Sequence, residues 1–488
     1  MSKQIAAERS IKFMDMTSRR TFLKWAALAA PSAASFGSVA AWGITLGTPP
    51  GKPPQAWRTS EKVRCEQIEA PQWRDGAATG PGAIQLEPAQ QFQELLGFGA
   101  ALTDASCYLL EQMPAAARGS LLKECFGADG LRLSIGRTTI GSSDYSRNAY
   151  TYDDTSQPDP DLQHFSLEHD RQYILPVLRE TQQVNPEIFY FSSPWSPPAW
   201  MKAGNSLLGG SMRSRYFGPY ADYFVKFLEG YAADGVHIRA VTIQNEIDTD
   251  QGGRMPQCMW GQEYEIQFVK EFLGPALQKN SLDTKIWILD HNYNLWGRVA
   301  DELEDPDLSK YVDGVAWHGY FGPPAAMTRV HNMFPLKNAY WTEGGSDFTL
   351  PDYTTDWAKW SGTFAGILNN WARSIVTWNL VLDEQGKPNI GPFSCGGVLT
   401  LNSQTQQLTR SGLYWALAHY SRFMQRGARV FATQGDLPDV DHVAAQNPDG
   451  SHVLVLTNRG NGRQVQCTLA NKSLQVDLPA NSVTTLVL

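Results

Sequence analysis

The chain has 488 residues, 42% of them hydrophobic and 18% charged. That balance excludes a disordered protein and suffices for one large domain with a smaller companion. The formal net charge is −8, or about −12 without residues 1–40, which hold six Lys/Arg and two Asp/Glu. A charge of that sign repels phosphate backbones, so no nucleic-acid partner is expected.

The first 46 residues read as an export signal rather than as fold. Ser18-Arg19-Arg20-Thr21-Phe22-Leu23-Lys24 precedes the apolar run 25–30 and small residues up to Ser38-Val39-Ala40. This resembles a twin-arginine signal with cleavage near Ala40, which predicts a periplasmic or secreted protein. The apolar run is too short to span a bilayer stably, and no later segment qualifies.

Residues 47–92 begin with Pro49, Pro50, Pro53 and Pro54, an extended linker over 47–60. Strand-like runs follow at 63–69 and 83–87. Over 93–429 the pattern alternates between buried strands and helices. Strands are expected at 95–98, 131–136, 188–193, 238–245, 285–290, 312–318, 339–343 and 374–379. Helical spacing fits 105–125, 166–184, 216–233, 262–278, 356–372 and 411–426. Eight such units imply a closed (β/α)8 TIM barrel. From residue 430 short strands and turns such as Asn447-Pro448-Asp449-Gly450 take over. They predict a side β-sandwich domain over 430–488, which the strands before the barrel can complete. The six cysteines form no CxxC and stand at no metal-ligand spacing from a histidine, so free thiols are expected.

Two of the barrel strands end in glutamate. Val241-Thr242-Ile243-Gln244-Asn245-Glu246 closes the fourth, and Tyr340-Trp341-Thr342-Glu343 closes the seventh. Active sites of such barrels lie at the C-terminal ends of the strands. Two carboxylates facing each other there can cleave a glycosidic bond, one as acid and one as nucleophile. Asn245 beside the acid can bind a sugar 2-hydroxyl, and Gly344-Gly345 permits close approach. More rim segments carry acidic and aromatic residues suited to a sugar: Asp104 after strand one, Asp144 after strand two and Trp195 after strand three. His318 and Tyr320 follow strand six, and Trp378 follows strand eight. Sixteen Trp and 18 Tyr in the whole chain lean the same way. The expectation is a retaining β-glycoside hydrolase without cofactor or metal.

The chain resembles glycoside hydrolase family 30, and within it the glucosylceramidases of the acid β-glucosidase type. The resemblance runs from about residue 92 to the C-terminus. It rests on GFGAALTDA at 97–105, SSDYS at 142–146, TYDDT at 151–155, HFSLEHD at 164–170 and SSPWSPPAWMK at 192–202. It continues with YFVKFLEGYA at 223–232, AVTIQNE at 240–246, WTEGG at 341–345 and TWNLVLDEQGKPN at 377–389. The resemblance implies Glu246 as acid/base and Glu343 as nucleophile. It also implies a glucosyl subsite lined by Asp144, Trp195, Asn245, Tyr320, Trp378 and Asn389. Arg132 matches a family arginine near the nucleophile, with His318 and Asp104 in supporting places. The family's barrel carries a side β-structure built from both chain ends.

The chain departs from the family pattern around the leaving group. Ile247 stands where the family has proline after Asn-Glu, and the loop 248–253 is acidic and glycine-rich. Gly319 stands where the lysosomal relative has tryptophan. The glucosylceramidase-type motifs nonetheless make an exo-acting β-glucosidase acting on a carbohydrate or glycolipid substrate the leading expectation. A β-1,6-glucanase, β-xylosidase or β-fucosidase, or a non-catalytic glycan-binding barrel, are the alternatives. A metal-dependent hydrolase would have to use His318 and His291, but no HxH or HExxH motif is present.

Overall fold

The computed structural model describes residues 53–78, 80 and 82–488. The expected export signal and the start of the proline-rich linker lie outside the described residues. Eight parallel strands close into a barrel in chain order: β1 (Gly97–Ala101), β2 (Ile135–Ile140), β3 (Phe189–Pro194), β4 (Ile238–Thr242), β5 (Lys285–Asn292), β6 (Val312–His318), β7 (Asn338–Glu343) and β8 (Ala372–Asn379). Helices cover the outer face, so the strands are buried on both sides and read as continuous runs rather than alternating ones. Gly99 lets β1 approach β2, since a Cβ there would lie 2.0 Å from the Ile135 carbonyl oxygen.

One residue from each of β2 to β8 enters a common apolar plug: Ile135, Phe191, Ala240, Trp287, Ala316, Tyr340 and Val376. Trp287 stacks on Tyr340 with ring centroids 4.0 Å apart. The plug closes the barrel interior and leaves the C-terminal ends of the strands for polar side chains. β2 starts and ends four residues later than its sequence pattern suggests, which proves decisive for the site.

The helix expected over 105–125 is two helices, Asp104–Gln112 and Ala115–Phe126. Pro114 forces Met113 into an extended backbone with ψ 148°, which ends the first helix. Thr103 caps that helix by accepting the Ser106 amide. The helical pattern over 262–278 holds, but its middle turn, Phe268–Leu273, is a wide π turn. Pro275, which lacks an N–H, stands two residues after it.

The second layer is a ten-stranded sheet built from both chain ends. The strand Gln55–Thr59 pairs with Ser482–Val487, and Ala83–Glu94 lies between Arg429–Gln434 and Arg463–Leu469. Part of the stretch read as linker is thus a strand: Ala56 is buried in the same core as Leu454, Leu456 and Leu486. All six cysteines are free thiols. No helix among the described residues is long and apolar enough to cross a membrane.

Candidate active site

The polar ends of the strands converge on one buried guanidinium. Arg137, midway along β2, is fully buried. Its Nη1 donates to Glu343 in a close ion pair. Its Nη2 donates to Asn245 Oδ1 and Asp290 Oδ2, each at 2.8 Å. The guanidinium also lies over Trp195 and Trp378, 5.0 and 5.3 Å from their ring centroids. Four strands are therefore tied together through one cation. Burial opposes the charge on Arg137, but Asp290 and Glu343 outweigh it and raise its affinity for the proton.

Glu343 is held from two sides. Besides Arg137, the Tyr320 hydroxyl donates to its Oε1 at 2.9 Å. Gly344 and Gly345 follow because a Cβ on Gly344 would lie 2.3 Å from the Trp341 ring. Glu246 stands across the barrel mouth on irregular backbone. Its φ of 48°, with 74° at Leu289 and 46° at Asp290, is left-handed. Each such residue costs about 1–2 kcal/mol. Surrounding hydrogen bonds hold it there: the Glu246 amide donates to the Asp290 carbonyl at 2.9 Å, and the Gln257 side chain donates to the carbonyls of Asn245 and Glu246 at 2.7 and 2.9 Å. The buried Lys202 ammonium fixes that region by donating to Ser196 Oγ and to the carbonyls of Leu207 and Gln257.

One imidazole links the two glutamates. His318 Nδ1 is 3.5 Å from Glu246 Oε1, and its Nε2 is 2.9 Å from Asp290 and 4.0 Å from Glu343. Both glutamates therefore border one ring at the mouth of one barrel. Their side chains remain 12% and 7% exposed, so solvent reaches both. Burial alone would lower the His318 pKa, but Glu343, Asp290 and Glu246 raise it to about 9. Burial also opposes charge on Glu246, yet His318, His291 and the Gln251 amide hold its carboxyl below the ordinary range. Burial pushes Glu343 up, against His318 and Arg137 and with Glu246 and Asp290. The mobile proton of the cluster thus resides on His318, next to Glu246. The donors on Glu343 are a guanidinium and a phenol, which suit a nucleophile that must stay ionised once the sugar is in place. Glu246 faces the mouth beside Gln251, whose amide donates to it at 2.6 Å.

The remaining expected residues stand at different distances from this cluster. Trp195 and Trp378 stack at 5.1 Å and, with Tyr145, form an apolar wall. Asp144 is buried near the glutamate pair; burial and then the charges of Glu343 and Glu246 push its carboxyl well up. Sugar hydroxyls are the donors that would offset this. Asn245 and Tyr320 touch the cluster directly. Asn389 spends its amide on its own loop, donating to the Phe393 carbonyl at 2.7 Å and accepting the Gly391 amide at 2.6 Å. That loop packs on Asp144, since the Ile390 amide donates to the Asp144 carbonyl at 2.8 Å. Asp104 accepts from the Arg147 amide, His169 and Tyr173, and so anchors the segment carrying Asp144 without touching the glutamates.

Arg132 is not near the nucleophile. It precedes β2, at the opposite end of the barrel, and donates to the Arg422 carbonyl at the surface. Arg137 holds the place that the resemblance assigns to Arg132. The sequence pattern ends the strand at Gly136, which leaves Arg137 outside it. An arginine inside the buried run Ile135-Gly136-Arg137-Thr138-Thr139-Ile140 is the available signal, because a buried charge needs a partner. Asp290 escapes sequence reasoning in the same way. It ends the expected fifth strand and is fully buried, accepting from Arg137, His318, Ser193, Thr242 and Thr342.

Residues 95–424 match the glycosyl hydrolase family 30 TIM-barrel domain, and residues 427–486 match the family's beta sandwich domain. The chain is 33% identical to an endo-1,6-beta-D-glucanase of Neurospora crassa over 453 residues, covering 87% of this chain and 92% of the relative. It is 32% identical to the lysosomal acid glucosylceramidase of Mus musculus, covering 81% of each. Among solved structures, the endo-beta1,6-glucanase BT3312 superposes with a TM-score of 0.80 at 30% identity, covering 89% of this chain and 99% of that one. The chain belongs to glycosyl hydrolase family 30 and is a β-glycoside hydrolase of that family.

Proposed function

We propose that the enzyme cleaves β-D-glucosidic bonds of a β-1,6-linked glucan by double displacement with retention. The observation that carries this reading is the placement of Glu246 and Glu343 on either side of His318 at the mouth of one barrel, each reachable by solvent. Glu343 attacks the anomeric carbon. Glu246 passes the proton it shares with His318 to the leaving oxygen, then takes one from water as the glucosyl-enzyme is hydrolysed. Arg137 and Tyr320 hold Glu343 in position, Asn245 faces the sugar 2-hydroxyl, and Asp144 takes further hydroxyls.

The leaving-group side favours a sugar over a lipid. Gln251 and His291 stand against Glu246 there, and Asp248 and Arg254 of the same loop are exposed. Polar groups in that place serve hydroxyls better than an alkyl chain. This shifts the leading expectation from a glucosylceramidase-type β-glucosidase to a β-1,6-glucanase. The similarity to endo-1,6-beta-glucanases supports the shift. A glucosylceramide substrate is the second reading, favoured by exposed Tyr320 and Phe321 at the rim and by the glucosylceramidase relatives.

The test is a side-by-side assay on a β-1,6-glucan and on glucosylceramide in detergent, with proton NMR of the first product. Release of β-configured gluco-oligosaccharides from the glucan is expected. Faster turnover of the lipid, or an α product, would reject the respective part of the proposal. Export by the twin-arginine route is part of the same proposal. The double substitution Arg19→Lys, Arg20→Lys should leave the protein in the cytoplasm, and undiminished export of that variant would reject the route.

A further inference from the structure

The segment joining β2 to the helix Glu168–Val184 carries three ligand-type side chains outside the catalytic cluster. One atom each of Asp153, Asp159 and His164 lies within 4.8 Å of the others. Asp159 Oδ2 accepts the His164 amide at 2.9 Å and faces its Nδ1 at 2.8 Å, which fixes both side chains. Asp153 is fully buried, and its Oδ2 accepts the Trp200 indole N–H at 3.0 Å. Its Oδ1 has no hydrogen-bond partner and no solvent. One carboxylate oxygen of Asp153 lies within 4.8 Å of one of Asp159. A buried carboxylate oxygen without a donor, close to a second carboxylate, calls for a cation.

We propose that Asp153, Asp159 and His164 bind a divalent transition-metal ion, Zn2+ foremost. Two carboxylate oxygens and one imidazole nitrogen form a donor set that suits Zn2+. Ca2+ and Mg2+ take oxygen ligands and are disfavoured by the imidazole. The His164 side chain is 71% exposed, so the ion enters from solvent and water completes its coordination. The ion takes no part in bond cleavage. It satisfies Asp153, which already grips Trp200, and so ties the segment after β2 to the segment after β3. Those two segments carry Asp144 and Trp195.

The test uses the full chain, stripped with a chelator and dialysed. Titration with Zn2+ is expected to show one ion bound per chain and a rise of a few degrees in Tm. Substitution by Co2+ should give visible absorption bands. His164→Ala and Asp153→Asn should each abolish the Tm rise and the bands; His164→Ala changes an exposed side chain and keeps the test open if Asp153→Asn does not fold. His291→Gln controls for the cluster of Glu246, His291 and His318, whose ligand atoms also lie within 4.8 Å. It should leave the binding intact. Absence of binding, or loss of binding in His291→Gln but not in His164→Ala, overturns the proposal. So does a metal-independent Tm rise in Asp153→Asn, which would show the two carboxylates to share only a proton.

Discussion

The two shores of the catalytic mouth are built differently. The Glu343 shore rests on regular strand: β7 delivers the carboxylate, β2 delivers Arg137, and the contacts are charged and buried. The Glu246 shore rests on left-handed backbone and on loops held together by the side chains of Gln257 and Lys202. Strands fix a side chain through their ladder, whereas loops require added donors to do so. On the proposed mechanism the rigid shore grips the sugar that is attacked. The looser shore then faces the leaving group, where substrates differ.

The largest effect should come from the glutamates themselves. Glu343→Gln should lower kcat roughly 10^4-fold or more on any β-glucoside. Glu246→Gln should lose less on an aryl glucoside with a good leaving group, because the first step then needs no acid. Added azide should restore turnover of that variant and give a β-glucosyl azide. Equal losses in both variants, with no azide rescue, would erase the distinction between the two shores. The next effect separates two arginines five residues apart. Arg137→Met should leave Asp290 and Glu343 without their shared guanidinium, cutting kcat/KM roughly 10^2–10^3-fold and stability by about 3–5 kcal/mol. Arg132→Met, at the surface, should stay within about 0.5 kcal/mol of wild type. Parallel kinetics and thermal unfolding of the two variants check this.

That pair of arginines shows what the sequence could and could not convey. The eight βα units, the two glutamates and the aromatic wall were legible because each rests on a local pattern: buried runs of strand length and carboxylates at strand ends. The hub was not legible, because it depends on where β2 begins. Leu131 and Leu133 are as apolar as strand residues, and only the tertiary packing of β1 against Ile135 sets the start. The placement of Asn389 differs from its expected one for a related reason. Its place in a motif was visible, but an amide can serve either a ligand or its own turn, and the loop took it. The strand Gln55–Thr59 was hidden because it follows directly on four prolines and one of its two partners, Ser482–Val487, lies more than 400 residues away.

His318 supplies a test that reads the junction of the shores. With a pKa raised to about 9, it stays protonated well above neutrality and keeps a proton beside Glu246. In His318→Gln the proton must reside on Glu246 alone, and a carboxyl, even without the imidazolium that stabilised its charge, gives up its proton at lower pH than the raised imidazole. The basic limb of the kcat/KM profile should therefore move to lower pH, by at least one unit. An unmoved limb would remove His318 from the proton's path. Stability carries the same sign: the contribution of the raised His318 is complete below about pH 6.5 and is lost as pH rises through about 9.

The smallest effect belongs to Gln251, and it discriminates between substrates. Its amide donates to Glu246 Oε2 from the loop 248–253. Removing it in Gln251→Ala takes away one hydrogen bond to a charged group, about 1.4 kcal/mol or tenfold in kcat/KM. If that loop contacts a second sugar, the loss should be about tenfold on a β-1,6-glucan and smaller on an aryl glucoside, whose leaving group has no hydroxyls to place. If the loop only tunes Glu246, both substrates should suffer alike, and the pH profile should shift with them. The ratio of the two losses thus measures how far the Glu246 shore recognises the leaving sugar rather than merely positioning the acid.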